Sequence, residues 1–407
     1  MRYGLLGQKL SHSYSPQIHK ALAGYDYELF QVQPEELDTF MKTADFDGIN
    51  VTIPYKKAVL PYCQALSPEA KCLGAVNTIV KQPDGTYWGH NSDYFGFYEM
   101  TKRSGISVHN KKALVLGSGG AGVTACAVLE DLGANVIVIS RSGENNYKNL
   151  YLHTDASLIV NATPVGMYPN NGLTPIFLSQ FSNLEGVFDL IYNPSKTELL
   201  LQAEEMGLIA VNGLYMLVAQ AKESAEYFIG SKISDIKISQ VYNLLRGQME
   251  NIVLIGMPGS GKSTVGKLLA GKINRRFVDT DQLIVERTGM PIPAFMEKYG
   301  VEKFRQEETA VIQDISKQSG LVIATGGGCV TRNENYHPIR QNSTVAWIKR
   351  DIAQLPTDGR PLSQASNLHS MYETRKPMYA RFADIEIDNS KTPEEAAESI
   401  LQALKGD

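Results

Sequence analysis

Asn251-Ile252-Val253-Leu254-Ile255-Gly256-Met257-Pro258-Gly259-Ser260-Gly261-Lys262-Ser263-Thr264-Val265-Gly266-Lys267-Leu268-Leu269-Ala270 decides how the second half of this chain folds. The apolar run 251–255 reads as a buried strand, 256–263 fits G-x-x-x-x-G-K-[ST], and 264–270 opens a helix. In that setting glycines let backbone N–H groups converge on phosphate oxygens, and the helix N-terminus adds a favourable dipole. Gly259, Ser260, Gly261, Lys262, Ser263 and Thr264 are therefore expected to hold ATP. Lys262 would sit at the β/γ-phosphates and Ser263 at Mg²⁺. The motif lies more than halfway along the chain, so a second domain is expected to begin near it.

The whole chain of 407 residues is 43% hydrophobic and 20% charged, which predicts two or three globular domains. A net charge of −4 points neither to nucleic acid nor to an anionic membrane. Cys63, Cys72, Cys126 and Cys329 form no C-x-x-C pair and fit a reducing cytoplasm. No apolar run reaches the length of about 18 residues that a membrane span needs, and the start of the chain is no signal peptide. Strand-like and helix-like segments alternate, which predicts an α/β fold with mostly parallel sheets. Ser15-Pro16 reads as a helix start with Ser15 as N-cap, and 199–228 is helical in pattern. Residues 246–251 leave almost no linker.

A second glycine motif, Gly117-Ser118-Gly119-Gly120-Ala121-Gly122, follows the strand-like Ala113-Leu114-Val115-Leu116 and opens a helix. With Asn135-Val136-Ile137-Val138-Ile139 as the next strand, this is the βαβ setting of a dinucleotide site. An NAD site would carry Asp or Glu about 20 residues on. Here Ser140-Arg141-Ser142 stands instead, which suits the 2′-phosphate of NADP; a plain surface arginine is the alternative.

Further polar clusters complete the first half. They are Ser11-His12-Ser13-Tyr14-Ser15-Pro16, Asn50-Val51-Thr52-Ile53-Pro54-Tyr55-Lys56, Gly74-Ala75-Val76-Asn77-Thr78, Asn91-Ser92-Asp93, Asn161-Ala162-Thr163-Pro164, Asp189-Leu190-Ile191-Tyr192 and 212–221. Each alone would be loop or surface chemistry. Together they resemble shikimate dehydrogenase over nearly all of residues 1–248. The resemblance implies that Ser13 and Ser15 bind a carboxylate. Thr52, Asn77, Asp93, Tyr192 and Gln220 would surround the ring, and Lys56 and Asp93 would be the catalytic pair. Thr163, Gly213 and Met216 would lie along the nicotinamide. It also implies a substrate domain of 1–93 and 213–248 and a Rossmann NADP domain of 94–212. Between Arg141 and Asn161 the chain is short for this family, which usually has a further helix and strand there; Gly143–Tyr147 reads as a loop.

In the second half, Asp279-Thr280-Asp281 places two carboxylates at i, i+2, a spacing that on a strand end points both the same way. After it come Phe304-Arg305-Gln306-Glu307-Glu308, Gly326-Gly327-Gly328, Gly359-Arg360-Pro361-Leu362 and Arg375-Lys376-Pro377-Met378-Tyr379. In this order the set resembles shikimate kinase, a P-loop domain, over about 249–407. The resemblance implies that Asp281 deprotonates the accepting hydroxyl and Asp279 supports Mg²⁺. Arg305 and Arg375 would grip the substrate carboxylate, Gly326–Gly328 would face the ring, and Arg360 would sit on a lid of roughly 354–367. The family's further arginine before Arg-Pro-Leu is replaced here by 351–358. The implied function is NADPH-dependent reduction of 3-dehydroshikimate followed by ATP-dependent phosphorylation of shikimate. A quinate/shikimate dehydrogenase fused to another small-molecule kinase, or a ligand-sensing regulator built on degenerate enzyme domains, are the alternatives.

Overall fold

The structure, a computed structural model, describes residues 1–10, 13–355 and 368–404. Its internal contacts divide the chain into two compact units. The first comprises Met1–Gly166, Leu173–Tyr192 and Gln202–Leu245, and the second Met167–Gly172, Asn193–Leu201 and Arg246–Asp407.

The first unit contains two sheets. β1 (Tyr3–Gly7), β2 (Tyr27–Gln31), β3 (Gly48–Val51), β4 (Ala65–Leu66), β5 (Thr78–Lys81) and β6 (Tyr87–His90) form one, in the order β2-β1-β3-β5-β6-β4. β1 pairs parallel with β2 and β3, but β5 runs antiparallel to both β3 and β6, so this sheet is mixed rather than parallel. Leu6, Met41, Phe46, Ile49, Val51 and Ile79 build its core.

The second sheet is entirely parallel: β7 (Lys112–Leu116), β8 (Asn135–Ile139), β9 (Leu158–Asn161), β10 (Gly186–Asp189) and β11 (Ile209–Asn212), in the order β11-β10-β9-β7-β8. Residues 113–116 are wholly buried because helices cover both faces of such a sheet. The sheet ends at β8. Between Ile139 and Leu158 the chain has only the 3₁₀ turn Leu150–His153, so the expected shortening removes a helix and a flanking strand.

Two expectations need correction here. The helix near residue 15 spans Ser15–Ala23 with Tyr14, not Ser15, at the N-cap. The Ser13 hydroxyl sits before it and accepts from the Ser15 N–H at 3.2 Å. The region 199–228 is not one helical stretch: Glu198–Glu205 and Leu214–Ile229 are helices, with β11 between them. Gly207, at φ 71°, breaks the first helix, and Ile209-Ala210-Val211-Asn212 then finds β10 to pair with. Gly213 must lack a side chain, since a Cβ there would run into the Leu190 backbone. The helix Leu214–Ile229 packs against Asp93–Ser104 and carries Met216, Gln220 and Ser224 on one face at a four-residue spacing.

In the second unit, β12 (Asn251–Ile255), β13 (Arg276–Asp279), β14 (Leu321–Ala324), β15 (Ser343–Lys349) and β16 (Ile385–Asp388) form a parallel sheet in the order β13-β14-β12-β15-β16. The helix Ile236–Met249 ends one residue before β12, so the expected lack of a linker is met. Lys262–Lys272 and Pro393–Ala403 cover one face through Leu254, Leu269, Ala397 and Ile400. Val253, Ile323, Trp347, Tyr379 and Phe382 fill the other. Central β12 thus aims its carboxyl end, and the glycine loop that follows it, into the mouth of the sheet.

Phe188 is fully buried in β10 and meets the edge of Phe97, with ring centroids 6.3 Å apart. Phe188→Ala is expected to destabilise the first unit by about 3–5 kcal/mol. Urea unfolding would show this as a lower midpoint at unchanged slope.

Candidate active sites

The first unit holds a cavity of about 760 Å³ lined by Ser13, Ser15, Thr52, Lys56, Asn77, Asp93, Tyr192, Gly213, Met216 and Gln220. These expected residues come from widely separated stretches of chain. Lys56 donates from Nζ to Asp93 Oδ2 at 2.5 Å, with the two side chains 30% and 18% exposed. A pair this close, at the edge of solvent, holds a charge-assisted hydrogen bond while remaining open to a ligand. Ser13 Oγ donates to Ser15 Oγ at 3.1 Å, next to the N-terminus of the helix that begins at Ser15, a favourable seat for a carboxylate. Burial raises the pKa of the Tyr192 phenol, which meets the edge of Tyr14 at 6.2 Å. The phenol therefore stays neutral and can donate a hydrogen bond.

Ser118, Gly119, Gly120 and Ala121 line the same cavity. Gly119 is the N-cap of the helix Gly120–Asp131, and a Cβ on Gly119 or Gly120 would meet only open space. A Cβ on Gly122 would instead strike the Gly117 carbonyl, so the helix can approach the strand this closely only with glycine there. An open cradle of main-chain N–H groups over a tightly packed turn fits the pyrophosphate of a dinucleotide. Other expected cofactor residues do not line the cavity. Gly117 and Gly122 lie beneath the turn. Thr163 supports it from below, donating from Oγ1 to Asn161 Oδ1 at 2.7 Å. Arg141 is exposed at the end of β8, in the shortened loop, and Ser140 N donates to Asn145 O across that loop at 3.1 Å.

The second unit holds a cavity of about 450 Å³ lined by Gly259, Gly261, Lys262, Ser263, Thr264, Asp279, Asp281, Arg305, Gly326, Gly327, Gly328 and Arg375. Gly259 and Gly261 take φ of 84° and 97°, which favours glycine at both. Lys262 is buried and donates from Nζ to the Gly256 and Met257 carbonyls, each at 2.9 Å. Ser263 Oγ donates to Asp279 Oδ2 at 2.6 Å. One hydroxyl beside one carboxylate fits Mg²⁺, which takes few protein ligands and completes its shell with water and phosphate. Among the described residues no cluster of three or more His, Cys, Asp or Glu could hold a metal by itself. Ser260 is buried and does not line the cavity; its carbonyl accepts from Asn389 Nδ2 at 2.7 Å. Arg360 and most of the expected lid lie outside the described residues.

The expected strand-end pairing of Asp279 and Asp281 needs correction. Asp279 ends β13 and caps the helix Thr280–Thr288, while Asp281 stands in that helix's first turn, its N–H donating to Asp279 Oδ1 at 3.0 Å. Both still reach the cavity, because the cap folds the chain back on itself. Asp281 Oδ1 and Glu308 Oε1 are buried without a hydrogen-bond partner, and both crowd the α-position of Gly326. Burial first, then the Asp279 and Glu308 charges, pushes Asp281 up to about 6. Asp281 and Glu308 are both wall residues of the cavity, which therefore carries two carboxylates beside the Asp279 carboxylate. Arg305 Nη1 donates to Glu308 Oε2 at 2.5 Å, and Arg375 Nη1 to the Gly327 carbonyl at 3.2 Å.

Three residues that sequence reasoning did not single out belong to these sites. Asn91 is buried in the first cavity, accepts the Asp93 N–H on Oδ1 at 3.1 Å and so places the start of the Asp93 helix. Glu308 closes the second cavity; its place in Phe-Arg-x-x-Glu was the available signal. Arg350, just after β15, lines the second cavity and had no signal.

A glycine-turn dinucleotide sheet beside a Lys–Asp pair defines a nicotinamide-dependent oxidoreductase, and a phosphate loop facing paired carboxylates and arginines defines a small-molecule kinase. Comparison with known proteins makes both more particular. The family model for the shikimate dehydrogenase substrate binding domain matches residues 5–79, and that for shikimate kinase matches 258–405. The chain is 34% identical over 266 residues to shikimate dehydrogenase (NADP(+)) of Clostridium perfringens (strain 13 / Type A), covering 60% of this chain and 98% of that one. The solved shikimate dehydrogenase 1 of Peptoclostridium difficile is 40% identical, with a TM-score of 0.56, over 60% of this chain and 98% of that one. The Thermus thermophilus shikimate 5-dehydrogenase, solved with NADP(H) and shikimate, is 32% identical with a TM-score of 0.55, over 60% and 99%. The chain belongs to the shikimate dehydrogenase family and carries a shikimate kinase domain after it.

The Asp281 shift sets a pH dependence. Were Asp281 the base of phosphoryl transfer, kcat/KM would fall on the acid side with a midpoint at about pH 6, since only its ionised carboxylate can accept a proton. Asp281→Asn should remove both the limb and most of the rate in a pH profile. The stability effect runs the opposite way. The folded state holds this proton more tightly than the unfolded chain, so the domain loses stability as pH rises from the ordinary carboxylate range through about 6.

Proposed function

We propose that this chain is a bifunctional enzyme of the shikimate pathway. Its first unit reduces 3-dehydroshikimate to shikimate with NADPH, and its second phosphorylates shikimate to shikimate 3-phosphate with MgATP. The observation that carries this reading is the Lys56–Asp93 pair at 2.5 Å inside a cavity that also holds the glycine turn. The second unit, where the phosphate loop shares one cavity with Asp281, Arg305 and Arg375, agrees with it.

In the first site, Ser13 and Ser15 hold the substrate carboxylate at the helix N-terminus, and Thr52, Asn77, Tyr192 and Gln220 hold the ring oxygens. When bound, NADPH supplies the hydride. Lys56 Nζ stands by the carbonyl oxygen, stabilises the negative charge that develops there and delivers the proton. Asp93 Oδ2 orients the ammonium and receives a hydrogen bond from it throughout. Gly119 to Ala121 offer N–H groups to the cofactor pyrophosphate, while Gly213 and Met216 shape the nicotinamide end.

In the second site, Arg305 and Arg375 hold the substrate carboxylate, and Gly326–Gly328 let the ring approach the backbone. Asp281 accepts the proton of the attacking hydroxyl. ATP supplies the phosphoryl group, with Mg²⁺ neutralising its charge. Lys262 would meet the β/γ-phosphates, and Ser263 with Asp279 would hold the metal.

The test is one incubation of the pure protein with 3-dehydroshikimate, NADPH, ATP and Mg²⁺, followed by mass spectrometry. Shikimate 3-phosphate is the expected product. Shikimate alone would refute the kinase assignment, and no reduction would refute the reductase assignment. Lys56→Ala should lower kcat of the reduction by about 10²–10⁴-fold with little change in KM. Steady-state kinetics with an unchanged kcat would remove Lys56 from the chemistry.

A further inference from the structure

Behind the ring pocket of the first unit lies a buried polar network that the reading above does not use. Ser224 Oγ is at its centre, fully buried on the helix Leu214–Ile229 one turn beyond Gln220. It donates to the Gln220 carbonyl at 3.0 Å. Asn50 Nδ2, Thr78 Oγ1 and Ser92 Oγ each lie 2.8 Å from the same oxygen.

A hydroxyl oxygen accepts two hydrogen bonds. Asn50 Nδ2 can only donate, and its two N–H groups are shared among Ser224 Oγ, Thr78 Oγ1 at 3.0 Å and the Asn77 carbonyl at 3.2 Å. Thr78 and Ser92 also lie 3.5 Å from each other. Beyond Ser224, Thr78 reaches Asn77 Oδ1 at 3.0 Å, and Ser92 reaches Asn77 Oδ1 at 3.2 Å and Gln220 Oε1 at 3.3 Å. These two hydroxyls thus carry the contact from Ser224 to the oxygens of two pocket amides.

Main-chain groups fix those amides the same way round. The Ser92 N–H donates to Asn77 Oδ1 at 2.8 Å, and Gln220 Nε2 donates to the Leu217 carbonyl at 2.9 Å. Both oxygens therefore face the network; Asn77 Nδ2 also gives one N–H to Ser92 Oγ at 3.1 Å, and each amide keeps a second N–H outside these bonds, in the wall of the cavity that Asn77 and Gln220 line. We infer that Ser224 is a positioning residue of the reductase: through Ser92 and Thr78 it holds Asn77 and Gln220 as N–H donors to the ring oxygens of the substrate. The inference rests on the reductase reading above, since it needs a ring with acceptor oxygens in this cavity.

The experiment is steady-state kinetics of Ser224→Ala in the full chain, alone and in a Gln220→Ala background. Parent enzyme that reduces 3-dehydroshikimate secures the reading itself. In the parent background, KM for 3-dehydroshikimate should rise about tenfold, as expected for loss of a hydrogen bond that orders the site, with KM for NADPH unchanged. With Gln220 already removed, the same substitution should raise KM by less than about threefold, because part of its route is gone. An unchanged KM in the parent background, or an equal rise in both backgrounds, would overturn the inference. NADPH binding followed by fluorescence reports whether the domain is folded. Should Ser224→Ala fail to bind it, the nearly isosteric Ser224→Cys, with its weak hydrogen bonding, takes its place under the same criteria.

Discussion

A parallel sheet with helices on both faces offers chemistry one place to occur: the carboxyl ends of its strands, where the main-chain hydrogen bonds run out. Both units obey this constraint. β7 releases the chain into Gly117–Gly122, and β12 releases it into Gly256–Gly261. In each case a wholly apolar strand end gives way to main-chain N–H groups turned towards a cavity. Neighbouring strands that end at the same level supply the groups around each loop. Asp279 follows from β13, Gly326–Gly328 from β14, and Asn161 and Asp189 from β9 and β10. Asn161 Nδ2 lies 3.0 Å from Asp189 Oδ1, a buried tie between two adjacent strand ends that holds the floor of the cofactor turn in place.

The contrast between the two sites lies in how charge is handled. In the first, Lys56 and Asp93 neutralise one another in a half-open cleft, so the pair is stable before any ligand arrives. In the second, Asp281, Asp279 and Glu308 crowd together, and Arg305 answers only part of that charge. Reduction needs a cation that gives up a proton; phosphoryl transfer needs a base that takes one. Pairing orients the first, whereas burial and repulsion make Asp281 more basic.

Contiguous features were legible in the sequence and long-range ones were not. The two glycine loops could be read because strand, turn and helix follow one another without a break. Lys56 and Asp93, 37 residues apart, came together only through likeness to a known family, since no spacing rule links them. The 199–228 stretch reads as helical, yet Gly207, whose left-handed φ ends the first helix, and the pairing of 209–212 with β10 interrupt it. The side-by-side carboxylates were foreseen on a strand, but Asp279 turns out to be a helix cap, a role that i, i+2 spacing does not distinguish. Asn91, Ser224 and Glu308 act through contacts made across the fold, which local sequence does not encode.

The crowding at Gly326 has a thermal consequence. Two oxygens, on Asp281 and Glu308, are withdrawn from water without a hydrogen-bond donor in return, so this domain alone is less stable than its packing would make it. A proton removes the deficit, because a carboxyl can donate to its neighbour where a carboxylate cannot, and burial raises both groups accordingly. The interior of the second unit is therefore better satisfied in mild acid than at neutral pH.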